Sequence, residues 1–142
     1  MALGNMTREE REAFLADVHV GVLAVDEPGR GPHALPIWYD VIDGEVCARI
    51  DGDSRKAELL QAAGRATLTV QTETVPYQYV SVEGPVTVAP REFDDLALAV
   101  RYLGPELGAW YVENTPAEHS TIVILRPEHW RTFDFGKFFG VS

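Results

Sequence analysis

The sequence predicts a mixed α+β fold, an antiparallel barrel of about six strands with helices after the third and fifth strands. Three observations lead to this prediction. Short β-branched runs alternate with Gly- and Pro-rich turns, an Asp-Gly pair marks a tight hairpin, and several stretches place apolar residues at helical spacing. Most consecutive strands are joined by short turns, and this favours antiparallel pairing over a βαβ sheet.

Length and charge limit the class of protein. The chain has 142 residues, so we expect a single domain over residues 1–142. Its 22 acidic and 12 basic residues give a net charge of -10, which disfavours nucleic-acid binding. Apolar runs are far shorter than the roughly 20 residues of a membrane span, and residues 1–11 lack a signal-peptide pattern. We therefore expect a soluble, cytoplasmic protein that does not bind membranes.

The first half of the chain predicts one helix followed by three antiparallel strands. Thr7 and Glu10 have the spacing of a capping box, so a helix is expected to begin at residue 8. Asp43-Gly44 is a strong hairpin signal, because both residues tolerate positive φ between two apolar alternating segments. The predicted elements are a helix over 8–17 and strands over 20–25, 33–42 and 45–50.

The second half predicts a helix, two long strands, a helical region and a closing strand pair. Asp53 or Ser54 can cap the first of these helices, and Gly64 provides its end. Gly104-Pro105 interrupts the later helical region. The predicted elements are a helix to about 63, strands over 66–72 and 77–88, helices over 93–103 and 106–112, and either two strands or one bent strand over 121–125 and 130–135.

The segment from Asp51 to Lys56 has the most specific local chemistry. It places a hydroxyl, a guanidinium, an ammonium and free backbone N–H groups at a helix start, where the helix dipole favours a phosphate. The chain has only two lysines, and one of them stands here beside Arg55. The alternative is a solvated helix start, in which the two basic side chains pair with Asp51, Asp53 or Glu58.

Other motifs are weaker. Residues 29–34 match the dinucleotide pattern G-x-G-x-x-A, but Pro32 and the strand after it are incompatible with the strand-to-helix turn that this pattern needs. The four histidines lack metal-ligand spacing, Cys47 is the only cysteine, and no serine has a nucleophile-elbow context. No metal site and no catalytic triad is therefore predicted. Some aromatic side chains at strand spacing either border a flat ligand or belong to the core: Trp38, Tyr39, Tyr77 and Tyr79.

Five segments, in this order, resemble the pyridoxamine-phosphate-oxidase-like superfamily of flavin and deazaflavin oxidoreductases. They are 20–24 (VGVLA), 32–39 (PHALPIWY), 54–57 (SRKA), 79–84 (YVSVEG) and 126–130 (RPEHW). The last segment is similar to the actinobacterial branch of this group. The resemblance covers nearly the whole chain and implies an α+β, six-stranded antiparallel split β-barrel with flanking helices, which forms a homodimer with cofactor sites at the interface.

The resemblance also implies a function and a set of cofactor-binding residues. The cofactor is FMN or the deazaflavin coenzyme F-420, and it moves a hydride to or from a small planar conjugated substrate, so no catalytic side chain is expected. A non-catalytic carrier of flavin or haem is the alternative. The residues that hold phosphate in vitamin B6 oxidases are not recognisable here. The implied cofactor residues are Ser54, Arg55 and Lys56 at the phosphate; His33, Pro36, Ile37 and Trp38 along the ring; Arg49, Ile50 and Asp51 beside the ribityl chain and phosphate; and Tyr79 across the dimer interface.

Overall fold

The computed structural model of the protein describes residues 3–116 and 118–140. Over these ranges the chain forms eight strands and five helices. The strands are β1 (Gly21–Val25), β2 (His33–Ile37), β3 (Asp40–Ile42), β4 (Glu45–Asp51), β5 (Arg65–Gln71), β6 (Gln78–Ala89), β7 (Ser120–Leu125) and β8 (His129–Asp134). The helices are α1 (Arg8–Ala16), α2 (Arg55–Ala63), α3 (Asp95–Leu103), α4 (Pro105–Asn114) and α5 (Phe135–Phe138). None of these helices is long and apolar enough to cross a membrane.

The strands form a curled antiparallel sheet with helices at its sides. Their order is β2-β1-β5-β6-β7-β4-β3, and β8 pairs with β6 off this path. All the pairs are antiparallel, so the predicted α+β, antiparallel split barrel is confirmed. Helix α2 packs against β1, β5 and β6. The largest fully buried side chains are Leu15, Tyr39, Leu60, Leu68, Val70, Val80, Val82, Ile122 and Leu125.

Strand β6 joins the two parts of the sheet. One of its edges pairs with β5, whereas the other edge pairs first with β8 and then with β7. The connection between β7 and β8 crosses β6 at this change of partner, and Glu128 N–H donates to the Glu83 carbonyl there at 3.0 Å. A Cβ atom on Gly84 would lie 1.8 Å from the Arg126 carbonyl oxygen. The crossing therefore requires glycine at position 84.

The prediction of one strand over 33–42 is wrong, because the segment divides into two strands with different partners. β2 pairs with β1, whereas β3 pairs with β4. Between them, Tyr39 N–H donates to the Tyr102 hydroxyl at 3.0 Å, and that hydroxyl shares its own proton between the carbonyls of Tyr39 at 3.0 Å and His19 at 2.7 Å. A side chain of α3 thus replaces a neighbouring strand. The closing segment also forms two strands, so the sheet has eight strands where about six were predicted.

Several local predictions are confirmed. Both hydrogen bonds of the capping box are present at α1, from Glu10 N–H to the Thr7 hydroxyl and from Thr7 N–H to the Glu10 carboxylate. Asp43 and Gly44 both have positive φ, as the tight turn between β3 and β4 requires. Helix α2 is capped by Ser54 rather than Asp53, and Gly64 ends it in the left-handed conformation.

We expect Gly84→Ala to lower the free energy of unfolding by about 3 kcal/mol, because the added methyl group meets a backbone oxygen that the β7–β8 connection holds in place. Gly31→Ala is the matched control, since nothing lies within 4 Å of a Cβ at that position. It should change stability by less than about 0.5 kcal/mol. Urea unfolding followed by circular dichroism measures both variants, and equal losses would contradict this account of the crossing.

Candidate functional site

One large cleft lies between β2, the junction of β4 with α2, and the α3–α4 pair. Its volume of about 920 Å³ is at the upper end of the range of roughly 300–1,000 Å³ for small-molecule sites. Of the eleven residues that the resemblance implies, all but Tyr79 line this cleft. The ten lining residues are His33, Pro36, Ile37, Trp38, Arg49, Ile50, Asp51, Ser54, Arg55 and Lys56.

The N-terminus of α2 forms one end of the cleft and presents unpaired N–H groups. The Ser54 hydroxyl accepts a hydrogen bond from Ala57 N–H at 3.1 Å and donates to the Asp51 carbonyl at 2.6 Å, which holds the start of the helix. The first N–H groups of a helix have no acceptor within it, so those of Arg55 and Lys56 are available to a ligand. This terminus also carries the positive end of the helix dipole and favours an anion.

Lys56 is the unpaired cation at this end of the cleft. Its side chain is half-buried, and it makes no hydrogen bond or ion pair within residues 3–116 and 118–140. Burial lowers the pKa of the Lys56 ammonium below its ordinary value of 10.5. Arg55 differs, because its guanidinium bonds to Glu27 at 3.0 Å and to Glu58 at 2.6 Å. The solvated-pair alternative therefore describes Arg55, whereas Lys56 is left to hold an anion.

Arg49 lines the cleft from β4, where it connects three elements. Its guanidinium forms an ion pair with Asp95 at the start of α3 and donates to the Ser120 hydroxyl at the start of β7. It also lies 5.7 Å from the ring centre of Phe93. Because its charge is already compensated, we expect Arg49 to shape the cleft more than to bind an anion.

Strand β2 offers its backbone along the length of the cleft. It ends the strand order and pairs only with β1, so one of its edges has no strand partner in the described part of the chain. Pro36, which has no N–H, is tolerated in such an edge strand. At the beginning of β2, the Nδ1 atom of His33 is buried and has no hydrogen-bond partner among the described residues. A ligand with polar groups fits these unpaired atoms.

Aromatic rings form the other end of the cleft. Trp38 stacks on Tyr102 with ring centres 5.0 Å apart and planes 6° apart, and Tyr111 stands at 49° to Trp38 at 5.2 Å. Trp38 and Tyr111 line the cleft. Tyr39, in contrast, is fully buried and donates to the Leu15 carbonyl at 2.6 Å, so it belongs to the core.

Helix α4 and the segment before β7 supply wall residues that the sequence did not reveal. They have no motif or spacing of their own, and only the tertiary fold brings them to the cleft. His119 connects this segment with the start of α2, since its Nδ1 atom lies 3.5 Å from the Asp53 carboxylate and its carbonyl accepts from Gly52 N–H at 2.6 Å. The residues concerned are Tyr111, Val112, Thr115, Pro116, Glu118, His119 and Ser120, the last of which begins β7.

Tyr79 lies outside the cleft of its own chain. It is 37% exposed on β6, and its ring stacks with that of Phe133 on β8, with ring centres 6.5 Å apart. Tyr77 lies nearby with its ring edge toward Phe135 at 6.5 Å. Neither tyrosine lines the cleft of its own chain. Either one could contact only a ligand that is bound to a second copy of the chain.

Known proteins share this fold. The family model described as pyridoxamine 5'-phosphate oxidase matches residues 7–134. A conserved hypothetical protein from Mycobacterium tuberculosis is 25% identical, with a TM-score of 0.83 over 100% of this chain and 92% of that chain. An F-420 reductase is 23% identical, with a TM-score of 0.67 over 84% of this chain and 94% of that chain. An FAD- and haem-binding protein from Mycobacterium smegmatis is 17% identical, with a TM-score of 0.68 over 94% of this chain and 73% of that chain. No curated protein matches the sequence significantly.

The Ser54 hydroxyl should stabilise the start of α2, because it accepts a hydrogen bond from Ala57 N–H. We expect Ser54→Ala to lower the free energy of unfolding by about 1 kcal/mol, because Ala57 N–H loses its partner. Ser54→Thr keeps a hydroxyl that can accept from Ala57 N–H and donate to the Asp51 carbonyl, so it should stay within about 0.5 kcal/mol of the original protein. Urea unfolding compares the two variants; an Ala variant as stable as the Thr variant would show that this cap does not hold α2.

Proposed function

The chain belongs to the pyridoxamine 5'-phosphate oxidase family, and from this premise we propose that it is an oxidoreductase that binds FMN or F-420 in the cleft. The cofactor would exchange a hydride with a small planar conjugated substrate. The observation that supports this most is the pairing of an uncompensated lysine and a helix N-terminus at one end of the cleft with aromatic rings at the other. A molecule with a phosphate and a flat ring matches both ends.

Each part of the cleft has a distinct role in this proposal. Lys56 and the N–H groups that begin α2 bind the phosphate, and Ser54 keeps those groups in place. The open edge of β2, from His33 to Trp38, orients the ring. Arg49, Ile50 and Asp51 border the ribityl chain. When bound, a flavin or deazaflavin supplies or accepts the hydride, so the protein contributes orientation and exclusion of water.

FMN and F-420 differ most in the group attached beyond the phosphate, and two observations point in opposite directions. F-420 continues into a polyglutamyl tail, which acidic side chains at the cleft rim, Asp53 and Glu118, would repel. The structural neighbour named as an F-420 reductase supports the deazaflavin. We therefore propose either cofactor and expect a titration with each to identify the one that binds.

We also propose that the protein is a homodimer in which Tyr79 reaches the cofactor site of the partner chain. Its position on the outer side of β6, partly exposed and away from its own cleft, supports this role.

A carrier without turnover is the second candidate, and the neighbour named as an FAD- and haem-binding protein supports it. Turnover separates the two functions. A carrier would bind the reduced cofactor, yet it would not speed its oxidation by any quinone, enone or tetrapyrrole.

Lys56→Met should weaken binding of the cofactor by about thirtyfold, because a hydrogen bond to a charged group contributes about 2 kcal/mol. The other lysine provides the control: Lys137 bonds to Glu10 and the Asn5 carbonyl, away from the cleft, so Lys137→Met should leave the affinity unchanged. Absorbance and fluorescence titrations with FMN and with F-420 measure the dissociation constants. Equal affinities for the two variants would remove Lys56 from the phosphate site.

The pH dependence of the same titration tests whether the Lys56 ammonium is the group that binds the phosphate. Lys56 binds the phosphate as the ammonium, so above about pH 7, where a phosphate monoester is fully ionised, affinity should be constant until it falls as pH rises through the pKa of Lys56. Burial lowers this pKa, which moves the fall below the ordinary value of 10.5. Lys56→Arg keeps a positive charge at higher pH. The difference between this variant and the original protein should therefore grow as pH increases, and parallel profiles would contradict the assignment.

A further inference from the structure

The cleft is divided between a charged end and an apolar end. The charged end contains Lys56 at the start of α2. Three exposed apolar side chains line the cleft, Val20 and Tyr111 at the apolar end and Leu35 midway along β2, and their exposed fractions are 56%, 39% and 44%. The surface of a chain with a net charge of -10 is otherwise rich in acidic residues. Apolar groups grouped at the rim of a cleft indicate a binding surface.

Strand β2 separates the two ends. Arg55 bonds to Glu27 in the loop before β2, which places the start of β2 beside the charged end. Trp38, directly after β2, contacts the rings of Tyr102 and Tyr111 at the apolar end. At about 3.3 Å per residue, the five residues of β2 separate the ends by roughly 16 Å.

We propose that the apolar end binds an uncharged, planar substrate beside the cofactor ring and that Tyr111 selects it. This inference rests on the proposed function, in which the cofactor phosphate binds Lys56 and the cofactor ring lies along β2. Tyr102 covers one face of Trp38, and Tyr111 stands at 49° beside it, so the two lining rings form a corner for a flat apolar molecule. The cleft volume of about 920 Å³ is near the upper end of the range of roughly 300–1,000 Å³ for small-molecule sites.

The distribution of cations excludes an anionic substrate from this end. The lysine and arginine side chains among the described lining residues are Arg49, Arg55 and Lys56. Arg49 and Arg55 are already paired with carboxylates, and the cofactor phosphate takes Lys56. A phosphate or sulfonate at the apolar end would therefore be removed from water without a counter-ion.

Helix α4 provides a matched pair of aromatic residues. Tyr111 lines the cleft, whereas its neighbour Trp110 is 59% exposed and does not. Truncation of Tyr111 should change substrate binding, and truncation of Trp110 should not.

The test is equilibrium dialysis of the protein with its oxidised cofactor, so that no turnover occurs. The probes are menadione, an uncharged naphthoquinone, and 1,4-naphthoquinone-2-sulfonate, which carries a negative charge on the same ring system. We expect menadione to bind at least tenfold more tightly than the sulfonate. Tyr111→Ala should weaken menadione binding about tenfold through lost apolar contact, whereas Trp110→Ala should leave it unchanged.

A second variant tests the charge argument without removing an aromatic ring. Val20→Lys places an ammonium at the apolar end on an exposed position, because the next residue, Gly21, pairs with Ile37 at the end of β2, and it should raise the affinity for the sulfonate about tenfold. Retained cofactor is measured in the same dialysis. If the cofactor is retained but the sulfonate binds as well as menadione, or Tyr111→Ala has no effect, this inference is wrong and the proposed function stands. If neither FMN nor F-420 is retained, the proposed function itself fails.

Discussion

The division of the sheet and the shape of the cleft both depend on the hydrogen bonds of the Tyr102 hydroxyl. It satisfies the backbone of Tyr39 at the point where β2 ends and β3 begins, and it also binds the His19 carbonyl just before β1. Burial raises the pKa of Tyr102, so the hydroxyl keeps the proton that it donates. The ring of the same residue stacks on Trp38. One side chain of α3 thus holds the chain between two parts of the sheet and forms the aromatic end of the cleft.

The pairing of basic side chains with carboxylates makes the two ends of the cleft chemically different. In a chain with 22 acidic residues, most basic side chains near the cleft find a carboxylate partner. Arg49 pairs with Asp95, and Arg55 pairs with Glu27 and Glu58. Lys56 faces the cleft from the first turn of α2 without such a partner among the described residues. Among the described lining residues, the lysine without a carboxylate partner is therefore at one end, while apolar side chains occupy the other.

Interactions between neighbours in sequence were predictable, and interactions between distant segments were not. The capping box at Thr7, the turn at Asp43-Gly44 and the Gly64 end of α2 all depend on residues within a few positions. The division of residues 33–42 depends on Tyr102, which is 63 positions from Tyr39. Spacing alone therefore predicted a continuous strand there. Helix-start chemistry predicts a phosphate site between the end of β4 and the start of α2, and the family resemblance added β2 to this prediction. The cleft residues of α4 and of the segment before β7 reach it through packing alone, for which the sequence has no distinguishing motif.

We propose that the cleft has a phosphate end at Lys56 and a ring end at Trp38. A crystal structure of the protein grown with FMN, and another grown with F-420, tests this most directly. We expect a phosphate oxygen within about 3 Å of the Lys56 ammonium and of the N–H groups that begin α2, with the ring along β2 toward Trp38. A cofactor bound in the reverse direction, or on another surface of the protein, would contradict it.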